Sequence, residues 1–173
     1  MIGRIVRVLF LAFAAVLVSA MIASSGSHPA AARVRSFHME PGHDRCKPVG
    51  GSVITNFGAV DANTTLGPAT GDLAGAVAAG LLAPPASGPN GTVVFHIQHH
   101  WVTDAGDNIL FDPAIATTQP ISQTLFAVIT YKTKITGGTG RFDGATGELD
   151  FIGEADLVHG TAFRYSGEVC SAN

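Results

Sequence analysis

The chain has 173 residues, a net charge of −3 and only 13% charged residues. That length suits one domain, and the absence of a basic stripe argues against nucleic acid as a partner. The mean hydropathy of +0.31 is raised by the apolar N-terminus and is not the mark of a membrane protein.

The first predicted element is a secretory signal peptide over residues 1–25. Arg4 and Arg7 form a basic start, an uncharged apolar run spans Val8 to Ala23, and Ala23, Ser24 and Ser25 offer a small-residue cleavage site. A second such site stands at Ala30 to Ala32. A retained membrane anchor is the rival reading, but the run falls short of the ~20 residues a span needs. Residues 26–45 are polar and without period, and read as a flexible leader. Residues 46–173 then form the single folded domain. Two cysteines, Cys46 and Cys170, stand near the ends of that domain. In an oxidising compartment they are expected to pair; two buried thiols are the alternative. A bridge also removes them as thiol nucleophiles. The sequons at Asn63 and Asn90 matter only in a eukaryotic secretory path.

From Cys46 onward the chain reads as all-β. β-branched and aromatic runs alternate with Gly, Pro, Asn and Asp clusters. Candidate strands are "GSVITNF", "TGDLAGAVAAGLL", "TVVFHIQHHWV", "NILFD", "QTLFAVITYKTKI", "TGELDFIGEADLV" and "TAFRYSGEVC". A short helix at "DLAGAVAAGLL" is opposed by its glycines. In "TLFAVITYKTKI" period-two patterning puts Leu125, Ala127, Ile129, Tyr131 and Ile135 on one face. In the "GELDFIGEADLV" run, Glu148, Asp150, Glu154 and Asp156 oppose Leu149, Phe151, Ala155 and Leu157, and are expected on a solvated exterior. Long strands in succession predict a closed antiparallel barrel, with a sandwich as its rival. "ATGDL" at Ala69 returns as "ATGEL" at Ala145, a recurring turn-into-strand signal or the trace of a duplication.

"ITGGTGRFDGATGELDF" carries five glycines. Gly138, Gly140 and Gly144 give G-x-G-x-x-x-G, one residue longer than a dinucleotide fingerprint, and an alternating run follows instead of a helix. No Lys-Ser or Lys-Thr follows the last glycine, so a Walker loop is absent too. No nucleotide is expected. Gly137, Gly138, Gly140, Gly144 and Gly147 read instead as a structural motif for turning a strand, with Phe142 packed into the core.

This stretch resembles the glycine-rich signature of the allene oxide cyclase and dirigent barrel superfamily, a T-G-G-T/S-G-x-F run entering a late strand. The resemblance implies an eight-stranded antiparallel β-barrel of calycin type, with a lumen for a small hydrophobic molecule, and a dimer or trimer. Secretion and cysteines near both ends are similar to the dirigent branch. The functional residues of neither branch have counterparts in this sequence.

The best candidate site is "FHIQHHW". On a strand His96, Gln98 and His100 share one face; Phe95, Ile97, His99 and Trp101 share the other. His96, Gln98 and His100, with Asn56 of the first strand, are the expected ligand-binding residues. His96 and His100 stand ~13 Å apart on a straight strand, so no metal is expected, and no cofactor. Three functions follow from this reading. The first is a secreted barrel that binds a small hydrophobic or phenolic compound and steers its stereochemistry. The second is a cyclase or isomerase that moulds its substrate by shape. The third is a cell-surface structural protein with a packed interior. Whether the chain is an enzyme is left open by its sequence.

Overall fold

Ten strands follow one another among the described residues, 46–57 and 63–172, in the computed structural model. The expected signal peptide at 1–25 and leader at 26–45 lie outside the described residues. In chain order the strands are β1 (Cys46–Phe57), β2 (Thr64–Gly71), β3 (Gly75–Leu81), β4 (Ala86–Ser87), β5 (Val93–Thr103), β6 (Asn108–Phe111), β7 (Ala114–Pro120), β8 (Leu125–Gly138), β9 (Thr146–Asp156) and β10 (Gly160–Cys170). Every pairing is antiparallel.

The order runs β3-β2-β1-β10-β9-β8, continues through β6 and β7 to β5, and closes where β5 pairs with β3. β6 and β7 both lie between β5 and β8 and act as one strand interrupted at Asp112 and Pro113. β4 is a short piece beside β5. Counted so, the molecule is a closed eight-stranded antiparallel barrel, and the sandwich is excluded. The glycine-rich "GAVAAGL" is strand β3, not helix.

Besides the two-residue β4, two strands escape sequence patterning, each for a physical reason. β2 contains Pro68, which cannot donate to a ladder. The β1–β2 register accordingly skips from Val53↔Ala69 to Asn56↔Leu66 around it. β7 is absent from the candidate strands because its apolar pattern is inverted: Ile115 is exposed, while Ala114, Ala116 and Thr118 are buried. A further departure lies in β8. Its pairing with β7 jumps from Thr117↔Thr130 to Thr118↔Val128, a bulge that reverses the facing of the strand. Phe126 is buried before it and Tyr131, Thr133 and Ile135 after it, and Ile129 is 55% exposed. The expected grouping of Ile129 with Tyr131 and Ile135 on one face is corrected accordingly.

One end of the barrel is filled. Trp101, Ile109, Phe111, Phe142, Leu149 and Tyr165 are buried there. Trp101 Nε1 donates to Leu73 O at 2.8 Å and its ring meets the edge of Tyr165 at 5.3 Å. Tyr165 Oη accepts from Leu73 N and donates to Thr70 O, both at 3.0 Å. The polar side-chain atoms of Trp101 and Tyr165 are thus satisfied inside the core. The glycine motif belongs to the same end. Gly137 and Gly138 finish β8, Gly140–Phe142 form one 3₁₀ turn, Gly144 follows, and Gly147 is the second residue of β9. Phe142 is 4% exposed, and Arg141 and Asp143 point to solvent. The segment is a turn rather than a continuous strand, and the glycines serve it at both sides. "ATGDL" closes β2, whereas "ATGEL" opens β9, so the echo occupies opposite strand ends.

Cys46 and Cys170 are disulfide-bonded and directly opposite in the β1–β10 register. The bond ties the first strand of the barrel to the last.

Candidate functional site

The other end of the barrel is open. It carries a cavity of about 720 Å³, the solvent at its mouth included. The cavity exists because inward positions there hold small side chains: Val53, Val77, Ala79, Ala116, Thr118 and Ala155. Side chains of this size on strands curved around a barrel leave a lumen where Trp101 and Phe142 fill the opposite end. The inverted pattern of β7 has the same origin in part, since its buried Ala116 and Thr118 are lumen walls.

Among the described residues, no Asp, Glu, Lys or Arg lines this cavity. Several wall hydroxyls are occupied. Thr55 Oγ1 and Thr161 Oγ1 bond each other at 2.7 Å, and Thr118 Oγ1 donates to Val93 O at 3.0 Å. The walls are therefore apolar in effect, although threonines contribute to them. The carboxylates of β9 stand outside, as expected. Lys132 Nζ lies 2.8 Å from Glu148 and 3.2 Å from Asp150 on the exposed wall. Exposed pairs of this kind stabilise little. Asp156 pairs with His159 at 2.8 Å in the β9–β10 turn.

The structure does not bring the four expected ligand-binding residues to the lumen. Asn56, His96 and His100 are exposed on the outer wall. Gln98 is half-buried and donates to Phe111 O at 3.0 Å. The period-two split of β5 holds, but the inward face is the other one. Phe95, Trp101 and Thr103 are buried on it, and so is His99. Apolar neighbours at Phe95, Ile97 and Trp101 decide the facing, because turning them outward would expose three large side chains. The lumenal histidine is therefore His99, which the sequence places on the apolar face and which the expected set omits.

His99 forms the floor of the cavity with Tyr131. Its Nε2 is hydrogen-bonded to Tyr131 Oη, and its Nδ1 is buried with no protein partner. The imidazole stacks parallel on Phe151 at 6.0 Å and meets Phe111 edge-on at 5.7 Å. Tyr131 in turn packs on Phe151 at 4.9 Å and on the edge of Phe163 at 5.6 Å. This aromatic box buries most of both rings. Burial, helped by the neighbouring His100, lowers the His99 pKa from its ordinary 6.5 to about 4. Burial raises that of Tyr131. Both groups are neutral at physiological pH.

A pH dependence of stability follows. Between pH 6.5 and about 4 the unfolded chain protonates His99 and the folded barrel does not. Stability conferred by a neutral His99 is complete above 6.5 and is lost as pH falls towards 4. At ~1.4 kcal/mol per pH unit the loss is roughly 3 kcal/mol. Urea unfolding at about pH 7 and about pH 4.5 reads it out. Wild type is expected to lose more between the two than His99→Phe, and equal losses would contradict the assignment.

Among the described residues no metal-like grouping reaches the lumen. Among the described residues one cluster of suitable ligand types occurs, Cys46, Glu168 and Cys170 on the outer wall, and both its sulfurs are in the disulfide.

No family model matches the chain, and no curated protein matches it. Among solved structures it is similar to a pterocarpan synthase dirigent protein, with 15% identity over 74% of this chain and 86% of that one, at a TM-score of 0.30. A likeness of that degree decides nothing about function, and the barrel rests on its own strand pairing.

Proposed function

We propose that the barrel binds one small, neutral, hydrophobic or phenolic compound in its open end. The single observation that carries this reading is the lumen: open at one end, plugged at the other, and uncharged among the described residues. The proposal extends to steering. A reactive compound held between apolar walls presents one face, so that a coupling or closure follows one stereochemical course without an acid–base group. It also places the protein outside the cell, supported by the Cys46–Cys170 bond, a feature of oxidising compartments. A dimer or trimer, the assembly implied by the resemblance, belongs to the same proposal and is read by sedimentation equilibrium.

The cyclase or isomerase reading stands second. The observation in its favour is a histidine at the lumen floor. Against it, a His99 with a pKa of about 4 is a weak proton acceptor at neutral pH. The structural-protein reading requires a packed interior, and the open end is not packed.

Ala116→Trp tests the proposal. Ala116 is 3% exposed and on the cavity wall, so an indole there takes the place of a ligand. With 2-naphthol as fluorescent probe, the variant is expected to bind at least about tenfold more weakly than wild type. Saturable binding of equal strength in both would overturn the lumenal site.

A further inference from the structure

The His99–Tyr131 pair holds more donors than its one mutual hydrogen bond uses. A neutral imidazole carries one N–H and a phenol one O–H. A single bond joins Nε2 to Oη, so one hydrogen is left over in either tautomer. If Tyr131 donates to Nε2, the spare hydrogen sits on Nδ1, which is sealed from solvent and has no protein partner. If Nε2–H donates to Tyr131, the spare hydrogen is on the phenol, which lines the open cavity. An orphaned buried N–H is costly, and a bare ring nitrogen, which is only an unused acceptor, is cheaper. A phenolic O–H facing the lumen finds an acceptor in whatever occupies it.

Resting on the lumen-binding reading above, we infer that His99 holds Nδ1 bare and Nε2 protonated, and so turns the Tyr131 hydroxyl into a hydrogen-bond donor aimed at an acceptor oxygen of the bound molecule. The ligand class narrows accordingly. It is an apolar compound with at least one neutral acceptor oxygen (a ketone, an aldehyde, an ether or a phenol), which reaches the floor of the lumen while the rest contacts the walls. A carboxylate is disfavoured, because no cationic side chain among the described residues lines the cavity to meet it. His99 is a positioning residue in this scheme, and Tyr131 is the group that touches the ligand.

The test compares 1-tetralone with tetralin, which share a carbon skeleton and differ by the carbonyl oxygen. Affinities are measured by calorimetry on wild type and Tyr131→Phe, and the tautomer of His99 is read by 15N NMR on unliganded wild type. The ketone-to-hydrocarbon affinity ratio is expected to fall about tenfold in Tyr131→Phe, the worth of one hydrogen bond. The carbonyl stretch of bound tetralone should shift down in wild type and not in the variant. Nδ1 should give the resonance of an unprotonated ring nitrogen. An unchanged ratio, or a proton on Nδ1, would overturn the inference while leaving the lumen-binding reading intact. Failure of both compounds to bind wild type would overturn that reading and this inference with it. If Tyr131→Phe does not fold, the wild-type tautomer and the carbonyl shift still decide the matter.

Discussion

Cys46→Ser combined with Cys170→Ser is expected to destabilise the barrel by about 2–5 kcal/mol, or roughly 10–20 °C in Tm. The bond closes a loop with a sequence separation of 124, and in the chain-entropy view a long loop is where a cross-link restricts the unfolded chain most. Geometry adds to this. Cys46 and Cys170 are register partners at the outermost rung of β1 and β10. That rung joins the two ends of the barrel sequence, so losing it lets both strands fray. Fraying is expected first at the β1–β10 seam, as faster amide exchange at Lys47 and Val169, which face each other in the next rung. Unfolding of the double variant in urea, next to that of wild type, measures the loss. A difference within about 0.5 kcal/mol, the range of ordinary surface substitutions, would show that the bond does not hold the seam.

The second large effect is expected at Gly147. Its φ is +152°, and a Cβ there would lie 2.1 Å from the backbone oxygen of Glu168 on β10. Neither problem relaxes cheaply, because the obstacle is the carbonyl of a paired strand. Gly147→Ala is therefore expected to cost about 2–4 kcal/mol, combining backbone strain with overpacking. Gly140 makes the useful contrast. It also has positive φ, +56°, but the atom a Cβ would meet is the Asp107 carboxylate, a side chain that can swing aside. Gly140→Ala is expected to cost about 1–2 kcal/mol, the price of a left-handed alanine. Chemical denaturation of the two variants separates them. If Gly140→Ala were the more damaging, the motif would be holding the 3₁₀ turn rather than the approach of β9 to β10.

The scaffold was more legible than the site, for reasons visible in single residues. The spacing of Gly138, Gly140 and Gly144 already excludes a phosphate loop, and these glycines occupy the plugged end, away from the cavity. The alternation of Glu148, Asp150 and Glu154 against Leu149 and Phe151 sets the outside and inside of β9 correctly, because β9 has no bulge. β8 has one, and no composition rule reveals that Ile129 and Thr130 absorb it. The β5 histidines show a different difficulty. Polar residues attract attention as candidate ligands, yet His96, Gln98 and His100 are polar because they face outward. The informative residue is His99, polar among Phe95, Ile97 and Trp101, and the burial of its neighbours is the signal that finds it. The lumen itself is hardest to see in advance. A cavity is written as small side chains at inward positions, and in β7 the run Ala114, Ala116, Thr118 resembles a loop until its partners are known.

The central claim is that the open end of the barrel is a binding site. Intermolecular NOEs between a small aromatic probe such as 2-naphthol and the protein methyls test it most directly. Saturable binding is predicted, with NOEs to Val53, Val77 and Ala116 on the lumen wall. NOEs confined to the outward methyls of Ile54 and Ile152, or no saturable binding, would contradict it.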